Sequence, residues 1–368
     1  MKVALVHDHL VQDGGAERVL RVLMRMWPDA PVYTLVFDRK KMGPEFAAKD
    51  IRTSYLQKLP GSRRFYKGLL PLIPGAFRRF DLSGYDLVVS SASGFAKGVR
   101  TGDAPHVCYC HTPIRYIWSD SERYIRELPY PGPVKWLIKL IRPRLRRADL
   151  KGADGVDAFV ANSRHVAARI KRYYERESTV IYPPVDISRF MPSDTRGGYF
   201  LIATRLEPYK RVDLAIEAAN RLKLTLKIMG GGTDESRLRK LAGPTVEFLG
   251  RVSDDERTKL FAEADALLNP QEEDFGITTV ESLASGVPVI AFAVGGAAEI
   301  LEDGKTGILF REQNAESLAA ALDGFDRTRF DSQALRARAG EFSEERFAKE
   351  LRESTARAQQ REASVPAR

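Results

Sequence analysis

The stretch NPQEEDFGITTVESLASGVP, residues 269–288, decides how this chain is read. It opens where the apolar run Ala266-Leu267-Leu268 ends and closes where a second run, Val289-Ile290-Ala291-Phe292, begins. Both runs have the length and composition of buried strands. Between them lie the acidic residues Glu272, Glu273 and Asp274, the lone Gly276, and a helical pattern from about Thr278 to Ala284. A helix that starts at the carboxyl end of a strand offers unpaired backbone N–H groups to an anion such as phosphate. A carboxylate repels phosphate but accepts hydrogen bonds from sugar and ribose hydroxyls. Glu273 and Glu281, eight residues apart, therefore suit the polyol part of a ligand that also carries phosphate, as a nucleotide sugar does. The two glutamates alone fit an ordinary charged loop and helix equally well, so the rest of the chain must decide.

Outward from this stretch the same grammar repeats. Before it come the strand patterns Lys2–His7, Val32–Phe37, Tyr85–Ser90, His106–Cys110, Ala158–Asn162 and Val180–Tyr182, with helices over Ala16–Met26 and Ser163–Tyr174. After a break at Pro183-Pro184-Val185-Asp186, strands recur at Tyr199–Ala203, Leu224–Met229, Val246–Leu249 and Ile308–Phe310, and a helix at Val212–Leu222. Ser253 stands three residues before Glu256, the spacing of a capping box, and Asn314 opens another helix. Strand–helix alternation predicts an α/β fold with parallel sheets covered on both faces. At 368 residues the chain exceeds one typical core, and the two prolines stiffen the break. The expected organisation is two doubly wound, Rossmann-like domains facing each other across a cleft. Residues 1–182 form the first, 183–187 a connector and 188–345 the second, while the polar helix 346–368 returns to the first and frays from about Glu362.

Composition narrows the class. Hydrophobic residues at 43% and charged residues at 29% fit a globular protein, and no apolar run reaches the ~18 residues of a membrane span. The opening MKVALVHDHL lacks a signal-peptide pattern, and only Cys108 and Cys110 are present, two apart on one strand. A reducing, cytoplasmic setting follows as the expectation. Residues 1–190 hold 33 basic against 19 acidic side chains, whereas the remainder holds 25 against 30. This asymmetry fits a polyanionic or membrane-surface partner for the first half, and equally an Arg-rich base composition. Lys58–Phe80 and Val134–Leu150 interleave Arg and Lys with Trp, Phe, Leu and Ile, a pattern for an anionic membrane surface or for an amphipathic element packed on its own domain. No nucleic-acid-binding module is recognisable.

Several further residues fall at predicted strand ends, where ligands sit in open α/β sheets. Gly14 and Gly15 precede a helix and allow close backbone approach to a ligand, although the surrounding Asp13–Arg18 is no G-x-G-x-x-G motif. Arg205 and Lys210, five apart, suit two phosphates, the guanidinium in bidentate fashion and the ammonium as a point charge. Gly230 and Gly231 repeat the close-approach pattern. His106, Cys108 and Cys110 share one face of their strand while His111 takes the other, a poor zinc set, and no Asp-x-Asp is present to hold a cation under a diphosphate. His111-Thr112-Pro113 stands as a polar substrate contact or as a structural histidine.

Taken together, Gly14-Gly15, His111-Thr112-Pro113, Pro183–Asp186, Arg205 with Lys210, and Glu273-Asp274-Phe275-Gly276 with Glu281 resemble the retaining glycosyltransferases of family four, whose architecture is GT-B. The resemblance runs from Lys2 to about Phe347 and is nearest to mannosyltransferases of O-antigen or exopolysaccharide assembly, on the run HTPIRYIW from His111 to Trp118. It implies that Arg205 and Lys210 hold the donor diphosphate, that Glu281 takes the ribose hydroxyls, and that Glu273 takes those of the transferred sugar. It further implies backbone contacts at Phe275, Gly276 and Ile277 to sugar and phosphate, and at Arg251 and Val252 to the base. His111 would meet the donor sugar near its reacting carbon, and Gly15 would lie by the diphosphate. The implied catalytic residues are thus His111, Glu273, Arg205 and Lys210, with no metal and no cofactor. The implied substrates are GDP-mannose and a lipid-linked glycan acceptor, met by a cytoplasmic protein peripheral on the inner face of the plasma membrane. A UDP-sugar donor and a non-catalytic sugar-nucleotide or polyanion-binding module are the alternatives.

Overall fold

A computed structural model describes residues 1–119, 125 and 131–363. The chain forms two compact units, Met1–Pro184 with the segment from Phe347, and Val185–Arg346. In the first, strands β1 (Val3–His7), β2 (Val32–Thr34), β3 (Ile51–Thr53), β4 (Leu87–Ala92), β5 (His106–Cys110), β6 (Ala158–Ala161) and β7 (Ser178–Val180) form one parallel sheet in the order β3-β2-β1-β4-β5-β6-β7. Alternate residues divide between its faces: Ala4, Val6, Val88 and Cys108 bury on one, Leu5, Val89, Val107 and Tyr109 on the other. The second face is covered by the helix Gly15–Met26 and by the final helix Glu344–Ala363, whose Phe347 ring lies 5.4 Å from that of Tyr109. The expected fraying past Glu362 otherwise lies outside the described residues.

The second unit pairs β8 (Phe200–Ala203), β9 (Leu226–Met229), β10 (Val246–Gly250), β11 (Ala266–Asn269), β12 (Val289–Phe292) and β13 (Gly307–Phe310) in the parallel order β10-β9-β8-β11-β12-β13. Both units are Rossmann-like α/β domains of the doubly wound kind. In each, the chain winds outward from a central strand, then returns to its other side. The order reverses between β1 and β4 in one sheet and between β8 and β11 in the other.

Several element limits differ from the sequence reading. The expected strand Val32–Phe37 ends at Thr34, although Val36 O and Leu10 O still accept from Leu10 and Asp38 N–H across the turn. The strand expected from Leu224 starts at Leu226 because Lys223, at φ 56°, closes the preceding helix and Leu224 N–H bonds back to Ala219 O. The last strand of the first sheet is Ser178–Val180 rather than Val180–Tyr182, with Pro183 and Pro184 unable to donate to a ladder. Lys58–Phe80 is no single amphipathic element: prolines and glycines divide it into the turns and short helices Tyr55–Lys58, Ser62–Phe65, Tyr66–Leu72 and Ile73–Arg78. Val134–Leu150 falls within a helix of 23 residues, Gly132–Asp154.

Candidate functional site

In the second sheet the loops leaving β8 and β11 flank the point where strand order reverses, the position at which open α/β sheets bind ligands. Arg205, exposed, lies on the first loop, and the turn Pro208–Lys210 ends it. Glu273 lies on the second. Lys210 Nζ donates to Glu273 Oε1 at 2.5 Å, and Gln271 Nε2 donates to the same oxygen at 2.6 Å. Tyr209 stands between the two cations of the loop: its hydroxyl accepts from Arg205 at 3.0 Å, and Lys210 Nζ is 5.4 Å from its ring centre. Gln313 joins the loops from below, accepting from Arg211 and donating to Pro270 O. The parts of Arg205, Lys210 and Glu273 are legible in the sequence; those of Tyr209, Gln271 and Gln313 are not, because their chemistry depends on which loops become neighbours.

The Glu273 loop is shaped by a partner segment. Gly296 N–H donates to Glu273 O at 2.8 Å, and a Cβ on Gly295 would stand 2.3 Å from that same carbonyl oxygen. Only glycine permits this approach. Phe275 is buried against Phe342, and Gly276, at φ 109°, turns the chain into the helix Ile277–Ala284, one residue earlier than expected. That helix buries Glu281, at 1% exposure, where its Oε2 accepts from Arg257. Any hydroxyl meeting Glu281 thus meets a carboxylate already paired with a guanidinium, a partner 24 residues away that no local pattern signals.

Gly230 and Gly231 follow β9, and Arg251 and Val252 follow β10, further along the same sheet edge. Gly230 has its own structural cause: at φ 126° its Cβ would lie 1.9 Å from Thr204 O, so the glycine is required by the neighbouring backbone. A Cβ on Gly231 would meet only Glu235 Oε2, at 3.6 Å.

Gly14, Gly15 and His111 belong to the first unit. Gly14 caps the helix that Gly15 begins, and its N–H donates to Glu17 Oε2 at 2.8 Å. Glu17 Oε1 lies 3.4 Å from His7 Nε2, His7 Nδ1 lies 3.2 Å from Ser91 Oγ, and Ser91 Oγ lies 2.8 Å from His111 Nε2. His7, Glu17 and Ser91 are buried and His111 half-buried. Burial alone would raise the Glu17 carboxyl pKa, but the His7 hydrogen bond and the nearby His7 and His9 rings bring it below its ordinary value. The spacing of Glu17 from Gly14 was the one available sequence signal for this chain of contacts. His7 and Ser91 become neighbours only through the pairing of β1 with β4. His106 points elsewhere, bonding Ser90 and Gly155 O, and Cys108 and Cys110 are buried thiols. Among the described residues no group of His, Cys, Asp or Glu is arranged to hold a metal ion.

Residues 13–189 match the family described as Glycosyltransferase Family 4, and residues 186–346 match Glycosyl transferases group 1. A D-inositol 3-phosphate glycosyltransferase of Streptomyces avermitilis is 29% identical over 219 residues, which is 50% of this chain and 46% of that protein. Its namesake from Mycobacterium marinum is 27% identical over 317 residues, 73% of this chain and 66% of that protein. The chain thus spans about half the length of the Streptomyces relative. Among solved structures, HepE of Anabaena in complex with UDP and glucose superposes with a TM-score of 0.72 at 20% identity, covering 97% of this chain and 99% of that one. Sucrose-phosphate synthase of Thermosynechococcus elongatus superposes with a TM-score of 0.73 at 17% identity, with the same coverage, 97% and 99%.

Proposed function

We propose that this chain, which belongs to the GT-B glycosyltransferases of the group 1 and family 4 type, moves a hexose from a nucleotide sugar with retention at the anomeric carbon. The donor in this reading is GDP-mannose and the acceptor a lipid-linked glycan of polysaccharide or O-antigen assembly. The observation that carries it is the ion pair of Lys210 with Glu273 at the strand-order reversal, where a cation for phosphate and a carboxylate for sugar hydroxyls stand side by side.

The chemistry follows from those charges. As the C1–O bond to the nucleoside diphosphate breaks, negative charge collects on the phosphate oxygens. Lys210, Arg205 and the N-terminal N–H groups of the helix Ile277–Ala284 stabilise it without a metal. The acceptor hydroxyl forms its bond to C1 on the same face, and its proton passes to a departing phosphate oxygen. Glu273, held by Lys210 and Gln271, orients the sugar through its hydroxyls; Glu281 takes the ribose, and His111 remains the proposed histidine contact to the donor sugar.

A second reading changes the donor. HepE is described with UDP, UDP-glucose and glucose, which favours a UDP-sugar as the alternative. The relatives' inositol phosphate substrates favour a phosphorylated polyol as the competing acceptor. Thermal shift with a panel of GDP- and UDP-sugars separates the donors, because a tight ligand raises the melting temperature by mass action. Transfer assays on Lys210→Ala and Glu273→Ala then test catalysis. Wild-type transfer rates in both variants would leave only a sugar-nucleotide-binding module.

The membrane contact belongs to the same proposal. Phe65, next to Arg63 and Arg64 in the chain, is 64% exposed, and Trp136 and Leu140, which flank Lys139 on the helix Gly132–Asp154, are 64% and 59% exposed. Exposed apolar and basic side chains together favour shallow insertion at an anionic surface. Among the described residues no helix is long and apolar enough to cross a membrane.

A further inference from the structure

We propose that Glu17 is a positioning residue: acting through His7 and Ser91, it fixes which ring nitrogen of His111 carries the proton. The role this gives His111 in transfer rests on the function proposed above; the proton assignment rests on the hydrogen-bond chain alone.

The direction of each hydrogen bond follows from one end. An ionised carboxylate only accepts. Glu17 Oε2 accepts from Gly14 N–H at 2.8 Å, and Oε1 faces His7 Nε2 at 3.4 Å, so His7 carries its proton on Nε2. When His7 is neutral its other nitrogen, Nδ1, is an acceptor, and the Ser91 hydroxyl 3.2 Å away donates to it. An imidazolium at His7 would donate there instead, so the assignment that follows is for the form with neutral His7, and the spectra are taken at a pH that gives it. That uses the single hydrogen of Ser91. Ser91 Oγ must therefore accept from His111 Nε2, at 2.8 Å. His111 in its neutral form is thereby the Nε2–H tautomer, with Nδ1 a lone-pair acceptor. Three of the four side chains are buried, so water does not readily replace a member of the chain.

One isosteric change reverses every bond. In Glu17→Gln the Gly14 N–H, a donor that cannot change, holds the amide oxygen on its own side. The amide NH2 then faces His7 Nε2 and makes it an acceptor. His7 moves its proton to Nδ1 and donates to Ser91, Ser91 donates to His111 Nε2, and His111 must carry its proton on Nδ1. The contacts and volumes stay the same while the polarity at His111 inverts.

The test uses the full chain labelled with 15N-histidine, in which five imidazoles are present. Long-range 1H–15N spectra distinguish the two neutral tautomers, and His111→Asn assigns the signal. The expected result is an Nε2–H tautomer for His111 in wild type and an Nδ1–H tautomer in Glu17→Gln. Ser91→Ala, which cuts the chain with a minimal change of volume, is expected to give a mixture. A wild-type Nδ1–H tautomer overturns the proposal, as does a His111 signal indifferent to both substitutions. Should Glu17→Gln fail to fold, Ser91→Ala decides by the same criterion. In turnover, Glu17→Gln is expected to lower kcat at least about tenfold with little change in the donor KM, since a wrong tautomer disables an otherwise intact site. A tautomer switch with unchanged kcat overturns the link to transfer. Absence of turnover in wild type with every donor strikes instead at the proposed function and leaves the spectroscopic result standing.

Discussion

Lys210 Nζ and Glu273 Oε1 lie 2.5 Å apart although 63 residues separate them, and the pair is mostly shielded, with side chains 12% and 18% exposed. The two groups serve different parts of a nucleotide sugar in the proposed function, yet each holds the other in place. Lys210→Ala and Glu273→Ala should therefore each lower kcat/KM by about 10²-fold or more. The double variant should lose less than the two single losses combined, because each single change already disturbs the partner. Transfer rates from a complete double-mutant cycle measure that coupling.

Gly230 and Gly231 are adjacent glycines with different demands. Gly230→Ala places a methyl group 1.9 Å from Thr204 O at φ 126° and should destabilise the second domain by about 3 kcal/mol or more. Gly231→Ala meets only an ordinary contact with Glu235 and should stay within about 1 kcal/mol of wild type. Urea midpoints of the two variants provide the comparison.

Lys97 and Asp149 form an ion pair buried in the first domain, 3% and 0% exposed, where Trp118 Nε1 and Tyr174 OH also donate to the carboxylate. Burial disfavours the Lys97 charge, but Asp149 outweighs it and keeps the ammonium pKa above its ordinary value. Lys97→Met leaves the Asp149 charge without its counter-ion and should cost about 3–5 kcal/mol. Removing both charges, with Asp149→Asn added, should recover part of the loss in melting temperature.

His106 is fully buried, and burial pushes its pKa down to about 4 from an ordinary 6.5. The unfolded chain therefore binds a proton that the folded chain refuses between these values. This stability is complete above pH 6.5 and is lost as pH falls toward 4, by up to about 3 kcal/mol in all. His106→Gln should flatten the decline in urea midpoint between pH 7 and 5. An unchanged slope would show that other groups govern the acid limb.

Neutralising Arg63, Arg64, Arg78 and Arg79, all exposed, should weaken co-sedimentation with anionic vesicles. Trp136→Ser should weaken it even at salt concentrations that screen the charges, because an inserted ring is held by burial rather than by Coulomb attraction. Binding unaffected by either change would remove the membrane from the proposal.

Periodicity and composition alone were enough to recognise the strands His106–Cys110 and Val289–Phe292, the helix Val212–Leu222 and the break at Pro183-Pro184. These features are local: a buried strand needs a short apolar run, and a proline ends a ladder wherever it stands. Only the tertiary structure could place Lys210 on Glu273, Arg257 on Glu281, or His7 beside Ser91. Those pairs depend on strand order, which crossover packing decides and no residue spelling records. At each order reversal, β1 beside β4 in the first sheet and β8 beside β11 in the second, side chains far apart in the chain become neighbours at the edge of their own sheet, and each domain's share of the candidate chemistry gathers there.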